Sequence, residues 1–101
     1  MVYTKEQIVK DIKEYIGRSG ASTWSEAYVG VSKNAKDRLF NGHGVQEKGD
    51  RWIYRQAESS DIARETEAYF TDTLGTDGAT GGGDETADYV YAYKKASHTD
   101  P

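Results

Sequence analysis

The stretch Tyr28-Val29-Gly30-Val31-Ser32-Lys33-Asn34-Ala35-Lys36-Asp37-Arg38-Leu39 decides the fold. It reads as a short apolar strand, a Gly turn, a Ser/Asn cap, and a helix whose first turns carry Lys36 and Arg38. A phenol and a guanidinium ten residues apart thereby meet at a strand-turn-helix corner, where a phosphate can be held between them.

The elements on either side follow from periodicity and punctuation. Thr4-Lys5-Glu6-Gln7 is a capping box in which Thr4 accepts from the Gln7 amide and Gln7 reaches back. Ile8, Val9, Ile12, Tyr15 and Ile16 recur at helical spacing, and Gly17 stops the helix. Residues 18–23 form a loop or short edge strand. Residues 24–31 hold a strand, strongest at Ala27-Tyr28-Val29. A second helix runs over 35–41 and ends at Asn41-Gly42-His43-Gly44, where the glycines accept positive φ. Residues 51–57 alternate as a strand. Ser59 or Ser60 caps a third helix over 61–74, with Ile62, Ala63, Thr66, Tyr69, Phe70, Thr73 and Leu74 as its apolar stripe and Gly75 as its stop. Residues 75–86 are a loop containing Gly81-Gly82-Gly83, read as flexible and not as a phosphate cradle because no Walker Lys-Ser/Thr follows. Residues 88–94 alternate as a third strand. The order α-β-α-β-α-β implies a small three-stranded sheet flanked by helices, an α/β (α+β) domain over residues 1–95 with a mobile tail over 96–101.

The chain has 101 residues, one domain's worth, with eight Tyr, two Trp and two Phe supplying much of the apolar volume. It has no Cys, which excludes disulfides, zinc-thiolate sites and a thiol nucleophile and is compatible with a reducing cytoplasm. No apolar run approaches about 20 residues, so no membrane helix is expected. The net charge of −4 is unevenly spread. Residues 33–55 carry six cations against three anions, and residues 56–101 carry three against ten. A local basic surface around the Tyr-Arg corner is therefore compatible with the acidic whole.

The Tyr-Val-Gly element leading into an Arg-bearing helix resembles the second half of the GIY-YIG endonuclease signature. The likeness extends over residues 24–75. After the Arg helix that family has a strand and then a helix whose Glu binds a divalent metal. Here the third helix carries Arg64-Glu65-Thr66-Glu67-Ala68-Tyr69-Phe70, with Glu67 the better match and Glu65 the weaker. Glu67 also lies between Ala63, Phe70 and Leu74 at helical spacing, on the edge of the buried stripe, where a carboxylate needs a partner or a metal. The resemblance implies a GIY-YIG-like domain that hydrolyses DNA with Mg²⁺ or Mn²⁺ on Glu67. Tyr28 would assist the attacking water, and Arg38 would stabilise the transition state. Lys33, Lys36 and His43 would contact the nucleic acid. The alternative is a disarmed relative that binds nucleic acid or a larger protein partner. Two departures bear on that choice. The family's first strand, with its Gly-Ile-Tyr, is not visible upstream, where Trp24 stands nearest the missing Tyr and Tyr15-Ile16-Gly17 falls at a helix end. The late Asn is also absent, since Asn34 and Asn41 are the only asparagines.

Each residue also has a plainer reading. Arg38 suits a surface ion pair, Tyr28 suits strand-helix packing, Lys33 and Lys36 suit solvated cations, and Glu67 can reach solvent or pair with Arg64. Tyr89, Tyr91 and Tyr93 share one strand face and form either core or a base-stacking platform, with core the favoured reading.

Overall fold

The computed structural model describes residues 2–17, 24–78 and 87–99. Helix α1 (Lys5–Gly17) starts where the cap predicts, with the Gln7 amide donating to Thr4 Oγ1 at 3.1 Å. The reciprocal half of the box does not form. The Gln7 side chain donates instead to Asp11 one turn on, an i,i+4 partner within easier reach.

Strand β1 (Ala27–Ser32) leads to helix α2 (Ala35–Asp37), capped by the Asn34 side chain accepting from the Asp37 amide. The helix continues through a π-helical turn, Arg38–Gly42. Of the glycines expected to end it, Gly44 takes positive φ (71°) and Gly42 does not, because the wider turn carries the chain on to a cap at His43. Strand β2 (Trp52–Gln56) precedes helix α3 (Ser60–Ala68), which Ser59 caps and which also runs into a π-helical turn, Tyr69–Leu74, closed by Gly75 at φ 85°. That turn holds more residues than 3.6, so the stripe drifts: Ala63, Thr66 and Phe70 are buried, but Thr73 is exposed. The glycine triplet and the loop over 18–23 lie outside the described residues.

Strand β3 (Tyr89–Lys94) is central in a three-stranded antiparallel sheet of order β1-β3-β2. Alternation sorts the side chains into two chemistries. Val29, Val31, Ile53, Val90 and Ala92 face α1 and α3, packing on Ile8, Ile12, Ile16, Ala63 and Phe70. Tyr28, Tyr91 and Tyr93 face the α2 side with Ala35, Leu39 and Val45. The outer edge of β1 is covered, since residue 77 after α3 exchanges backbone bonds with Ala27 and Val29 at 3.0 and 2.9 Å. Residues 96–99 turn back through Thr99–Ala96 hydrogen bonds, and the His98 ring meets Asp50. No helix among the described residues is long and apolar enough to cross a membrane.

Gly30, expected as a turn, lies instead inside β1, where the strand ladder with β3 runs through it. It pairs with Tyr91, and the Tyr91 ring lies over it. A Cβ at this position would stand 2.6 Å from the Tyr91 oxygen and 2.7 Å from its Cζ. Gly30→Ala is therefore expected to lower stability in a urea titration by about 1–3 kcal/mol, the range for overpacking. Tyr91→Phe in the same chain should recover part of that loss, because it removes the nearest atom.

Candidate functional site

The site is built around a residue that the resemblance did not nominate. Tyr91 is 1% exposed and its hydroxyl shares a 2.7 Å hydrogen bond with His43 Nε2. Its ring stacks on Tyr28 at 6.2 Å between centroids, and Tyr28 stacks on Tyr93 at 5.3 Å. His43 packs against Tyr28 at 4.5 Å. Burial pushes the Tyr91 phenol up to about 12, with Tyr28 adding to the rise. A hydrogen bond from the Arg38 side chain and the Arg38 charge pull it down, and Glu67 pushes it up again. Three residues nominated by the sequence, Tyr28, Arg38 and His43, therefore meet the Tyr91 side chain.

The local backbone explains the convergence. The π-helical turn brings the His43 amide onto the Arg38 carbonyl at 2.8 Å, five residues back. Arg38 and His43 are thus locked one wide turn apart, with Arg38 exposed and His43 only 5% exposed. Such turns occur often at functional sites. His43, expected on a nucleic-acid surface, lies instead beneath Arg38 against the tyrosines. Lys33 and Lys36 are exposed at the start of α2. Lys36 and Lys33 line a cleft of about 150 Å³ with Tyr54 and Tyr89.

Glu67 is half-buried on α3, and its Oε2 is buried with no hydrogen-bond partner among the described residues. Loss of hydration raises its carboxyl to about 7, against the pull of Arg64. The carboxylate is not joined by two other potential ligands, as no group of three His, Cys, Asp or Glu forms among the described residues.

Tyr91 escaped the sequence reading because an alternating aromatic strand reads as core. The signal lay in pairing: a glycine in β1 that leaves room for a ring from the strand beside it. Of the three tyrosines, Tyr91 and Tyr93 are buried and Tyr89 is half-buried.

The Glu67 carboxyl predicts a pH dependence. Its folded value lies above its unfolded one, so the native state holds the extra proton between about pH 4.5 and 7. Its contribution to stability is fully present below that window and is lost as pH rises through it. Glu67→Gln should be as stable as the parent near pH 4.5 and melt at a higher temperature near pH 8. Equal melting temperatures at both pH values would contradict an isolated, dehydrated Glu67.

No protein-family model, curated protein or solved structure matches this chain.

Proposed function

We propose that the domain is a divergent GIY-YIG-like endonuclease that hydrolyses a phosphodiester bond of DNA. The observation that carries the reading is the convergence of Tyr28, Arg38 and His43 on the Tyr91 side chain. The tyrosine for which no upstream strand is present among the described residues has a spatial counterpart. The strand beside Tyr28-Val29-Gly30 is β3, and its Tyr89-Val90-Tyr91 comes from the other end of the chain. We read β3 as standing in for the missing first strand, in permuted order.

The roles follow from the chemistry of each group. Arg38, exposed and always charged, grips the non-bridging oxygens of a phosphate with its planar fork. Tyr91 is protonated at neutral pH and bonded to His43, so a proton taken from the attacking water at the phenolic oxygen passes on to His43 Nε2. Tyr28 packs the His43 ring in place. Glu67 fits a hard divalent cation. Mg²⁺ commonly takes one or two carboxylates and fills its shell with water and phosphate oxygens, and the unpartnered Oε2 offers one such donor. Bound there, Mg²⁺ or Mn²⁺ would offset the negative charge that builds on the phosphate.

A second reading has its own support. Tyr28 and Tyr91 are only 4% and 1% exposed, which suits a scaffold that keeps the arrangement as packing and binds nucleic acid or a larger protein partner without cleaving.

Nicking of supercoiled plasmid with Mg²⁺ or Mn²⁺ separates the two. The nuclease reading expects metal-dependent nicking that falls at least about a hundredfold in Arg38→Ala, the scale for losing one charge-stabilising donor. Glu67→Gln should abolish it, and the parent's rate should climb as pH rises through about 7, where Glu67 ionises. Nicking that survives both substitutions, or its absence in a folded parent, overturns the reading.

A further inference from the structure

The α2 cleft does not end at Tyr54 and Tyr89. Those two side chains also line a second, larger cavity of about 560 Å³, with Tyr3, Tyr15, Trp52 and Arg55. The two cavities are therefore one groove across the open β2 edge of the sheet. It starts beside the candidate site, because Tyr54 pairs with Tyr91 across the strands and Tyr89 lies one side-chain repeat, about 7 Å, along β3 from Tyr91.

We infer that this groove holds an unpaired nucleic-acid strand leading into the Tyr91 site. The inference rests on the nuclease reading for its purpose and names the substrate class: DNA with a single-stranded segment beside the cut.

Three observations carry it. The groove is lined by aromatic rings, and the rings of Trp52 and Tyr54 lie parallel within 7°, 6.1 Å apart, on one strand face. Rings presented this way stack bases whatever their identity. The smaller end, about 150 Å³, is of the size that accepts an aromatic ring. Cations stand along the groove: Lys33 and Lys36 at one end and Arg55 at the other, with the Arg51 guanidinium over the Tyr15 ring at 4.5 Å. Arg55 is paired with Asp11 at 3.1 Å, and the Asp88 carboxylate accepts from the Gln56 side chain of the same wall at 2.8 Å. This is the arrangement of a groove that tracks a phosphate backbone while stacking its bases.

The same edge suits an added peptide strand poorly. Tyr3 already donates to the Gln56 carbonyl at 2.8 Å, and Arg55 Nη1 occupies the Tyr54 carbonyl at 2.9 Å. Two of the three outward carbonyls of β2 are thus taken, and a peptide ladder would have only Trp52 to complete. Tyr15, exposed at 39%, lies on the groove wall and adds to its apolar surface.

The test is fluorescence anisotropy of the full chain with labelled (dT)12 and with a 12-base-pair duplex, in EDTA so that cleavage cannot intervene. The single strand should bind at least tenfold tighter, with a log-log salt slope of about −2, as three phosphate contacts would give. Tyr54→Ala should weaken binding about tenfold or more, the cost of one lost stack. Lys33→Glu/Lys36→Glu, both exposed and safe for folding, should weaken it to a similar degree. In Trp24→Phe, where Trp52 is the remaining Trp, the oligonucleotide should quench fluorescence. Duplex binding as tight as single-strand binding overturns the groove, as does parent-like affinity in the lysine pair, or capture of an extended peptide with no affinity for (dT)12. Running the binding and nicking assays on the same protein keeps the two proposals apart. Single-strand binding with no nicking by the parent removes the nuclease and leaves the groove, whereas nicking without strand preference removes the groove and leaves the nuclease.

Discussion

The Tyr91 ring resting on Gly30 holds this structure together and shapes its chemistry at the same time. Two antiparallel strands normally fill the space above each pair with two side chains. Here one partner contributes none, and the other leans across with a whole phenol. The lean carries the hydroxyl from the central strand toward the helix side, where His43 meets it. With any larger residue in β1, Tyr91 would be displaced, and with it the stack on Tyr28 and the bond to His43. Fully burying a side chain of this size is worth about 2–3 kcal/mol, so the contact stabilises the fold before it serves any reaction.

A sheet of five or six residues per strand has little room to separate stability from function, and this one does so by face. The aliphatic face is closed by α1 and α3 in ordinary close packing. Among the described residues the aromatic face is covered by the short α2 segment, its π-helical turn and Val45. Polar tips can be buried there because each ring brings apolar area together with a hydrogen-bonding group. The edges differ in the same way. β1 is sealed by residue 77, while β2 is stopped at one end by Tyr3 and is otherwise open beside the groove. The open edge of the sheet thus lies at β2 and not at β1.

Much of this was legible from residue patterns. Thr4, Asn34 and Ser59 announce the three helix starts because a side-chain oxygen next to free amides is a local signal that needs no tertiary context. Gly17 and Gly75 announce two of the ends. Arg38 and Glu67 were identifiable because a strand-turn-helix corner and a carboxylate beside an apolar stripe are both local patterns. The shape of the helix ends was not legible, since a π-helical turn is fixed by what the following residues pack against. Nor was the partner of Tyr28. Strand order β1-β3-β2 joins residues some sixty positions apart, and no periodicity within a strand reveals its neighbour. The tyrosines of β3 read correctly as core, but a buried phenol is also an acid and a hydrogen-bond donor, and only the pairing register discloses which one has partners.

The position of Glu67 is a place where the structure works against itself. A carboxylate with a buried, unpartnered oxygen lowers stability at neutral pH, and substitution by Ala, Gln or Leu would remove that cost. Arg64, on the same helix, pulls the carboxyl down without overcoming its dehydration. Packing alone gives no reason to place a charge beside Ala63 and Phe70 when the remaining stripe is apolar or hydroxylic. The proposed cation reverses the sign of the interaction. With a divalent ion at the oxygen, the low dielectric that disfavours the lone carboxylate strengthens its attraction to the metal. A site of this kind would bind its ion more tightly as pH rises through about 7, because the same proton must leave first. The destabilised Glu67 and the exposed Arg38 are then two opposite charges, neither needed by the fold, whose fields both bear on the Tyr91 phenol.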